Sequence, residues 1–264
     1  IVYEPLFDIV DKRYDEYIKS PELNASFKAH YRTVVHYAIE RGRQDGLSEE
    51  DQGALVVAAI LHDLTKGDPP PDEAKNIAWY TAVTHGQTGV IEARKALSGT
   101  TNQEVQSIFE NILGDSYTLE DRNRVIDKVA NAIINHMGPN PGFMGAKREE
   151  VRAEIEARGL KYLLPLVVHP YPNDRISEIL LAADMRSLAG EDGINKVLMI
   201  RYVQKEPRKE DIDAAKESRR KGPGEVFDTA EVAFMSAIGS AEAAMAMIAN
   251  EGDRHWVAEV FYKA

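Results

Sequence analysis

Residues 58–71 read AAILHDLTKGDPPP. The apolar run leading into them, ALVVAAIL at 54–61, is rich in the small residues that let helices pack closely. It ends in a histidine and an aspartate side by side, His62 and Asp63; Lys66, Gly67 and, from Pro69, three consecutive prolines follow. Upstream, Ser48 with Glu49, Glu50 and Asp51 resembles a capping box with Asp in the last place, which predicts a helix from there to Lys66. A helix this apolar belongs in a core. It carries a titratable pair at its buried end.

The rest of the chain also reads with helical period. Ser20 and Pro21 look like an N-cap and a first-position proline, opening a helix to about Arg41 with Gly42 as its stop. Further helices are predicted near 86–98, 101–113, 119–137, 145–158 and 174–189, and a long Ala-rich one near 225–249. Only HWVAEVFYK at 255–263 hints at a strand. The fold class expected is all-α, a helical bundle. Residues 1–203 are expected to form its core. Residues 204–264 are expected to be a helical C-terminal appendage that packs on that core or on a partner subunit, so a homo-oligomer is one expectation. The mixed-charge stretch at 204–222 reads as a solvated helix or linker.

Composition narrows the function. With 32 Lys and Arg against 43 Asp and Glu, the 264-residue chain carries a formal charge of −11. That argues against broad binding to nucleic acid or to anionic lipid, and neither is expected as a partner. There is no cysteine, which removes disulfides, thiolate zinc sites and thiol nucleophiles together. Any metal must be held by His, Asp or Glu. The N-terminal stretch has acidic residues from Glu4 onward and no signal-type apolar core, and the run 54–61 is too short to span a membrane. A soluble cytoplasmic protein is expected.

Polar residues stand in apolar places. His136 follows Val129, Ala132 and Ile133 at helical spacing; His62 shares a stripe with Leu55, Ala58 and Ala59. Asp184 lies in ILLAAD, with Leu180 and Leu181 one turn before it and Leu188 one turn after. An unpaired carboxylate on such a face costs several kcal/mol, so it needs a cation, strong hydrogen bonds or a metal. Taken singly, each has an ordinary explanation: a core histidine bonded to a carbonyl, or an aspartate paired with an arginine. Taken together, His36, His62, Asp63, His85, His136 and Asp184 supply four imidazoles and two carboxylates on five helical segments. A bundle can converge such groups on one interior point.

These residues resemble the HD-domain superfamily of metal-dependent phosphohydrolases, whose pattern is H…HD…D, with two further histidines in its two-metal members. HDLTK at 62–66 matches the family's HD-x-x-K, and HGQTG at 85–89 its H-x-x-x-G. The segments around His85, His136 and Asp184 are nearest in pattern to the bacterial diadenosine tetraphosphate hydrolases, although MRSLAG after Asp184 departs from their ending.

The resemblance implies two divalent ions, with iron or manganese favoured by a nitrogen and oxygen donor set. His36, His62, Asp63 and Asp184 would hold one; Asp63 would bridge to a second held by His85 and His136. It further implies a metal-bound hydroxide attacking a phosphate ester or anhydride in a small, nucleotide-like substrate. Asp63 and Lys66 are the expected catalytic residues, Lys66 by neutralising a phosphate oxygen. The loops at 138–145 and 169–173 are expected at the pocket mouth, with Lys66, Lys147, Arg148 and His169 as phosphate contacts. Two alternatives remain open at this point: a mixed-valent di-iron oxygenase built on the same six ligands, and a sensor with a purely structural metal.

Overall fold

The computed structural model describes residues 2–99, 103–138, 143–190, 242 and 245–261. The chain is all-α, with no strand among the described residues. In order, the helices are α1 (Glu4–Tyr17), α2 (Pro21–Gln44), α3 (Glu49–Leu61), α4 (Tyr80–Ser98), α5 (Gln103–Leu113), α6 (Leu119–Asn135), α7 (Phe143–Ala157), α8 (Arg175–Ala189) and α9 (Glu251–Phe261). Short 3₁₀ turns lie at Asp72–Ala74 and Lys161–Leu166.

Helix α3 is the axis of the bundle. Every residue from Gly53 to Leu61 is buried, and α1, α2, α5, α6 and α8 all pack against it. Gly53 is required by that crowding, since a Cβ there would come within 2.6 Å of the Ile112 side chain on α5. The helix starts are set locally. Ser20 accepts from the Leu23 amide and Ser48 from the Asp51 amide. Thr118 with Asp121 and Asp174 with Ser177 close capping boxes on α6 and α8.

Three expectations change. Gly42 does not stop α2, which runs on to Gln44. A Cβ at Gly42 would press on the Gln52 and Leu55 side chains of α3, so this glycine permits close helix crossing, while Gly46 takes the left-handed conformation at φ 71°. Helix α3 ends at Leu61 rather than Lys66. Beyond it the chain tightens into turns, with Lys66 N–H donating to Asp63 O at 2.9 Å and Asp68 N–H to Thr65 O at 3.1 Å. The suspected strand at 255–263 is helical in its described part. Trp256, Val257 and Val260 recur at helical spacing and pack on Leu181, Met185 and Ala189 of α8.

The predicted Ala-rich helix near 225–249 and the stretch 204–222 lie almost wholly outside the described residues, as do 139–142 in the first predicted mouth loop. No helix of the described residues is long and apolar enough to cross a membrane.

Candidate metal centre

Five elements converge on one buried point. Helix α2 supplies His30, the end of α3 supplies His62 and Asp63, α4 supplies His85, the end of α6 supplies His136 and α8 supplies Asp184. All six are buried, with exposures of 4% or less. Neighbouring imidazole centroids lie 5.8 Å (His30–His62), 5.1 Å (His62–His136) and 5.2 Å (His85–His136) apart.

The rings are oriented by their outer nitrogens. Nδ1 of His62 donates to Ala59 O at 2.8 Å, Nδ1 of His85 to Ala82 O at 2.9 Å and Nδ1 of His136 to Ile133 O at 2.5 Å. A carbonyl can only accept, so Nδ1 carries the proton in each, and in the neutral ring the Nε2 lone pair is left facing the interior. His30 is braced differently, with Nδ1 2.9 Å from the Ser187 hydroxyl on α8. A ring held by its outer N–H with the other nitrogen turned inward is how metal-binding histidines are set.

Asp63 divides the cluster. Its Oδ2 lies 3.5 Å from Nε2 of both His30 and His62, while its Oδ1 lies 3.2 Å from His85 Nε2 and 3.6 Å from His136 Nε2. Asp184 Oδ1 is 3.1 Å from His30 Nε2. Two sets of donor atoms therefore stand together, His30, His62 and Asp184 on one side and Asp63, His85 and His136 on the other. Among the described residues, His62 Nε2, His85 Nε2, Asp63 Oδ1 and Asp184 Oδ1 are buried without a hydrogen bond. Orphaned acceptors at this density are costly unless a cation satisfies them. The donor set fits two oxygen- and nitrogen-loving divalent ions.

Electrostatics agree with that geometry. Burial alone would raise the carboxyl pKa of Asp63, but Lys66, His62, His136 and His30 hold it well below the usual range. Burial acts on Asp184 likewise and is overcome by His30, His62 and Lys66. Both aspartates are thus ionised. Burial pushes His85 down to about 4, which keeps it neutral at physiological pH. For His62, burial is outweighed by Asp63 and Asp184, and its pKa rises.

The backbone around the pair is tied down from two sides. The Tyr14 hydroxyl of α1 donates to Asp63 O at 3.0 Å. The Thr65 hydroxyl donates to His85 O at 3.1 Å and sits 2.7 Å from the Thr88 hydroxyl, linking the turn after α3 to α4. A Cβ on Gly89 would already touch His62 O at 3.5 Å, so the glycine lets α4 lie close to the pair.

Of the predicted ligands, the structure brings together His62, Asp63, His85, His136 and Asp184, and it replaces the sixth. His36 is exposed on α2, with its ring 5.8 Å from that of Tyr37, and His30 takes the place expected for it. The sequence did hold the signal. His30 shares a helical stripe with Leu23, Phe27, Val34 and Tyr37, whereas His36 lies in register with Arg32, Glu40 and Arg43.

The other predicted contacts separate. Lys66 Nζ lies 2.6 Å from Asp63 Oδ2 with its side chain 24% exposed, so it reaches both the pair and solvent. Burial would lower its pKa, but Asp63 and Asp184 raise it, and the ammonium stays charged. Lys147 is turned elsewhere, with Nζ 3.0 Å from Glu150 and 5.8 Å from the Trp79 ring centroid. His169 is corrected as a phosphate contact. It is buried, its Nε2–H donates to Val83 O at 2.6 Å, and burial lowers its pKa to about 4. The neutral ring can then offer only an acceptor at Nδ1, which suits an O–H or N–H and opposes a phosphate oxygen. Arg148 is 18% exposed, and Glu149, at 4.0 Å, is the ion-pair partner nearest its Nε among the described residues.

No protein-family model, curated protein or solved structure matches this chain.

Proposed function

We propose that the protein is a metal-dependent phosphohydrolase acting on a phosphate ester or anhydride of a small substrate. The observation that carries this reading is the convergence of four imidazoles and two ionised carboxylates, with three Nδ1–H groups tied to carbonyls and the acceptor atoms turned on one point. His30, His62 and Asp184 would hold one divalent ion, and His85 and His136 a second, with the two oxygens of Asp63 reaching both. Two such ions, when bound, supply Lewis-acid charge and an activated water.

The protein's own part is to hold and to neutralise. The bundle fixes the six donors on five elements before substrate arrives. Lys66 keeps its charge beside Asp63 and is solvent-accessible, so its ammonium can bind a phosphoryl oxygen and stabilise the charge that gathers there in the transition state.

Metal analysis of freshly purified protein, followed by a screen of phosphorylated substrates with and without oxygen, tests the reading. Two ions per chain and oxygen-independent phosphate release are expected. Oxygen-dependent turnover would move the protein to the di-iron oxygenase class, and a protein that binds no metal would end the proposal.

A further inference from the structure

Three of the four histidines in the cluster have one arrangement open to their rings. The carbonyls of Ala59, Ala82 and Ile133 can only accept, so Nδ1 of His62, His85 and His136 keeps its proton with or without an ion. His30 differs. Its outer nitrogen meets the Ser187 hydroxyl, which can donate as well as accept.

Helix α8 holds both nitrogens of this ring. Asp184 and Ser187 stand three residues apart on one face of α8. Asp184 Oδ1 lies 3.1 Å from His30 Nε2, and Ser187 Oγ lies 2.9 Å from Nδ1. Ser187 is fully buried, and among the described residues the hydrogen bond of its hydroxyl is the one to His30. A hydroxyl that accepted from Nδ1–H would leave its own proton buried without an acceptor, which is costly. A hydroxyl that donates to Nδ1 uses that proton, and the ring proton then sits on Nε2, facing the ionised Asp184. That arrangement suits an empty site and opposes a cation, which needs the Nε2 lone pair.

We propose that Ser187 is a positioning residue that lets His30 change tautomer as the inner ion, the one shared with His62 and Asp184, is bound. Without the ion, Oγ–H donates to Nδ1 and Nε2 carries the ring proton. When the Nε2 lone pair is given to the ion, that proton moves to Nδ1 and the hydroxyl turns to accept it. The neutral ring holds one proton throughout. The rings of His85 and His136, both set by carbonyls, need no such change for the second ion. The inference rests on the two-metal reading of the cluster and is independent of the reaction the cluster serves.

The test uses full-length protein with isotope-labelled imidazole nitrogens, and zinc as a diamagnetic ion that histidine and aspartate bind. Long-range proton–nitrogen spectra at mildly alkaline pH report which ring nitrogen carries the proton, and His30→Gln assigns the His30 signals. In the metal-free protein, His62, His85 and His136 are expected as Nδ1–H rings and His30 as an Nε2–H ring. Zinc should convert His30 to the Nδ1–H form. Ser187→Ala should weaken the inner ion, followed at His62, by roughly ten- to a hundred-fold, the scale for losing a ligand's outer partner. The second ion, followed at His85 and His136, should keep its affinity. Ser187→Thr, which keeps the hydroxyl, should hold the inner ion more tightly than Ser187→Ala; equal weakening would assign the effect to packing and overturn the role. If Nδ1 of His30 already carries a proton in the metal-free wild type, the tautomer change is refuted, whether or not the variants fold. If folded Ser187→Ala binds both ions as the wild type does, Ser187 positions nothing. If zinc does not bind the wild type, the two-metal reading fails and this inference fails with it.

Discussion

The two halves of the cluster have different surroundings. The inner half, His30, His62 and Asp184, stands where α2, α3 and α8 pack on one another, and α9 closes over α2 and α8 from outside. Asp253 of α9 is fully buried between Arg41 Nε of α2, at 2.7 Å, and Arg175 of α8, whose two Nη atoms lie at 2.5 and 3.0 Å. The Arg186 guanidinium, two residues after Asp184, lies 4.2 Å from the Trp256 ring centroid and 5.0 Å from that of Tyr37. The outer half, Asp63, His85 and His136, comes from the turn after α3, the second turn of α4 and the end of α6, with both rings bonded to carbonyls and the Thr65 hydroxyl bonded to His85 O. Local bonds serve both halves, since His62 of the inner half also donates to Ala59 O; the inner half differs in being surrounded by three packed helices and the α9 clamp. The outer half also lies on the side of α4, against which α7 packs.

Asp63 belongs to both halves, so the largest effect is expected there. Asp63→Asn should lose most bound metal from both positions and fall to background turnover. A soluble Asp63→Asn protein that keeps two ions and full activity would dissolve the two-half description.

Lys66 touches the shared aspartate without being a ligand, because a protonated ammonium repels a cation. Lys66→Met keeps the stem and removes the charge. Turnover should fall by roughly 10²–10³-fold, the scale of one preorganised donor, with metal content near wild type. Metal loss together with activity would instead make Lys66 part of the support for Asp63.

The α9 clamp sharpens the contrast through stability. Asp253→Asn breaks a buried ion pair and should destabilise the fold by about 3 kcal/mol, at the lower end for such a loss because both arginines keep some access to water. Urea denaturation followed by circular dichroism reads this out. Metal analysis of the folded variant should show the inner position weakened more than the outer. Equal loss from both would mean that α9 does not discriminate between them.

The smallest effect is expected at His36. His36→Ala should leave metal content unchanged and stability within about 0.5 kcal/mol, as at an ordinary surface position. His30→Ala should lose the inner ion. Calorimetric titration of metal into the two variants separates them, and the reverse outcome would restore His36 as the ligand.

How far the site could be read in advance depended on whether the residue pattern alone marks burial. For His62, His136 and Asp184 it does: the residues three, four and seven before each histidine are apolar, and Asp184 has Leu180, Leu181 and Leu188 one turn either side, so each side chain had to face the core. The same rule applied along α2 separates His30 from His36, and there the order of histidines in a motif pointed to the wrong turn of the right helix. Helix starts were legible because Ser20, Ser48, Thr118 and Asp174 satisfy amides within three residues of themselves. Helix ends were less so. Gly42 reads as a stop, yet α3 crosses there and the glycine serves that crossing.

The sequence by itself determined an all-α chain with an apolar central helix that ends in a titratable pair, because local periodicity and capping need only neighbours in the chain. Tertiary structure alone decided which oxygen of Asp63 faces which histidines, that His169 spends its N–H on Val83, and that 255–261 is helical. Those outcomes depend on partners tens to hundreds of residues away, such as Glu40 and Arg41 against α9 or Val83 against His169. A pattern read along one segment carries no information about which distant surface that segment will meet.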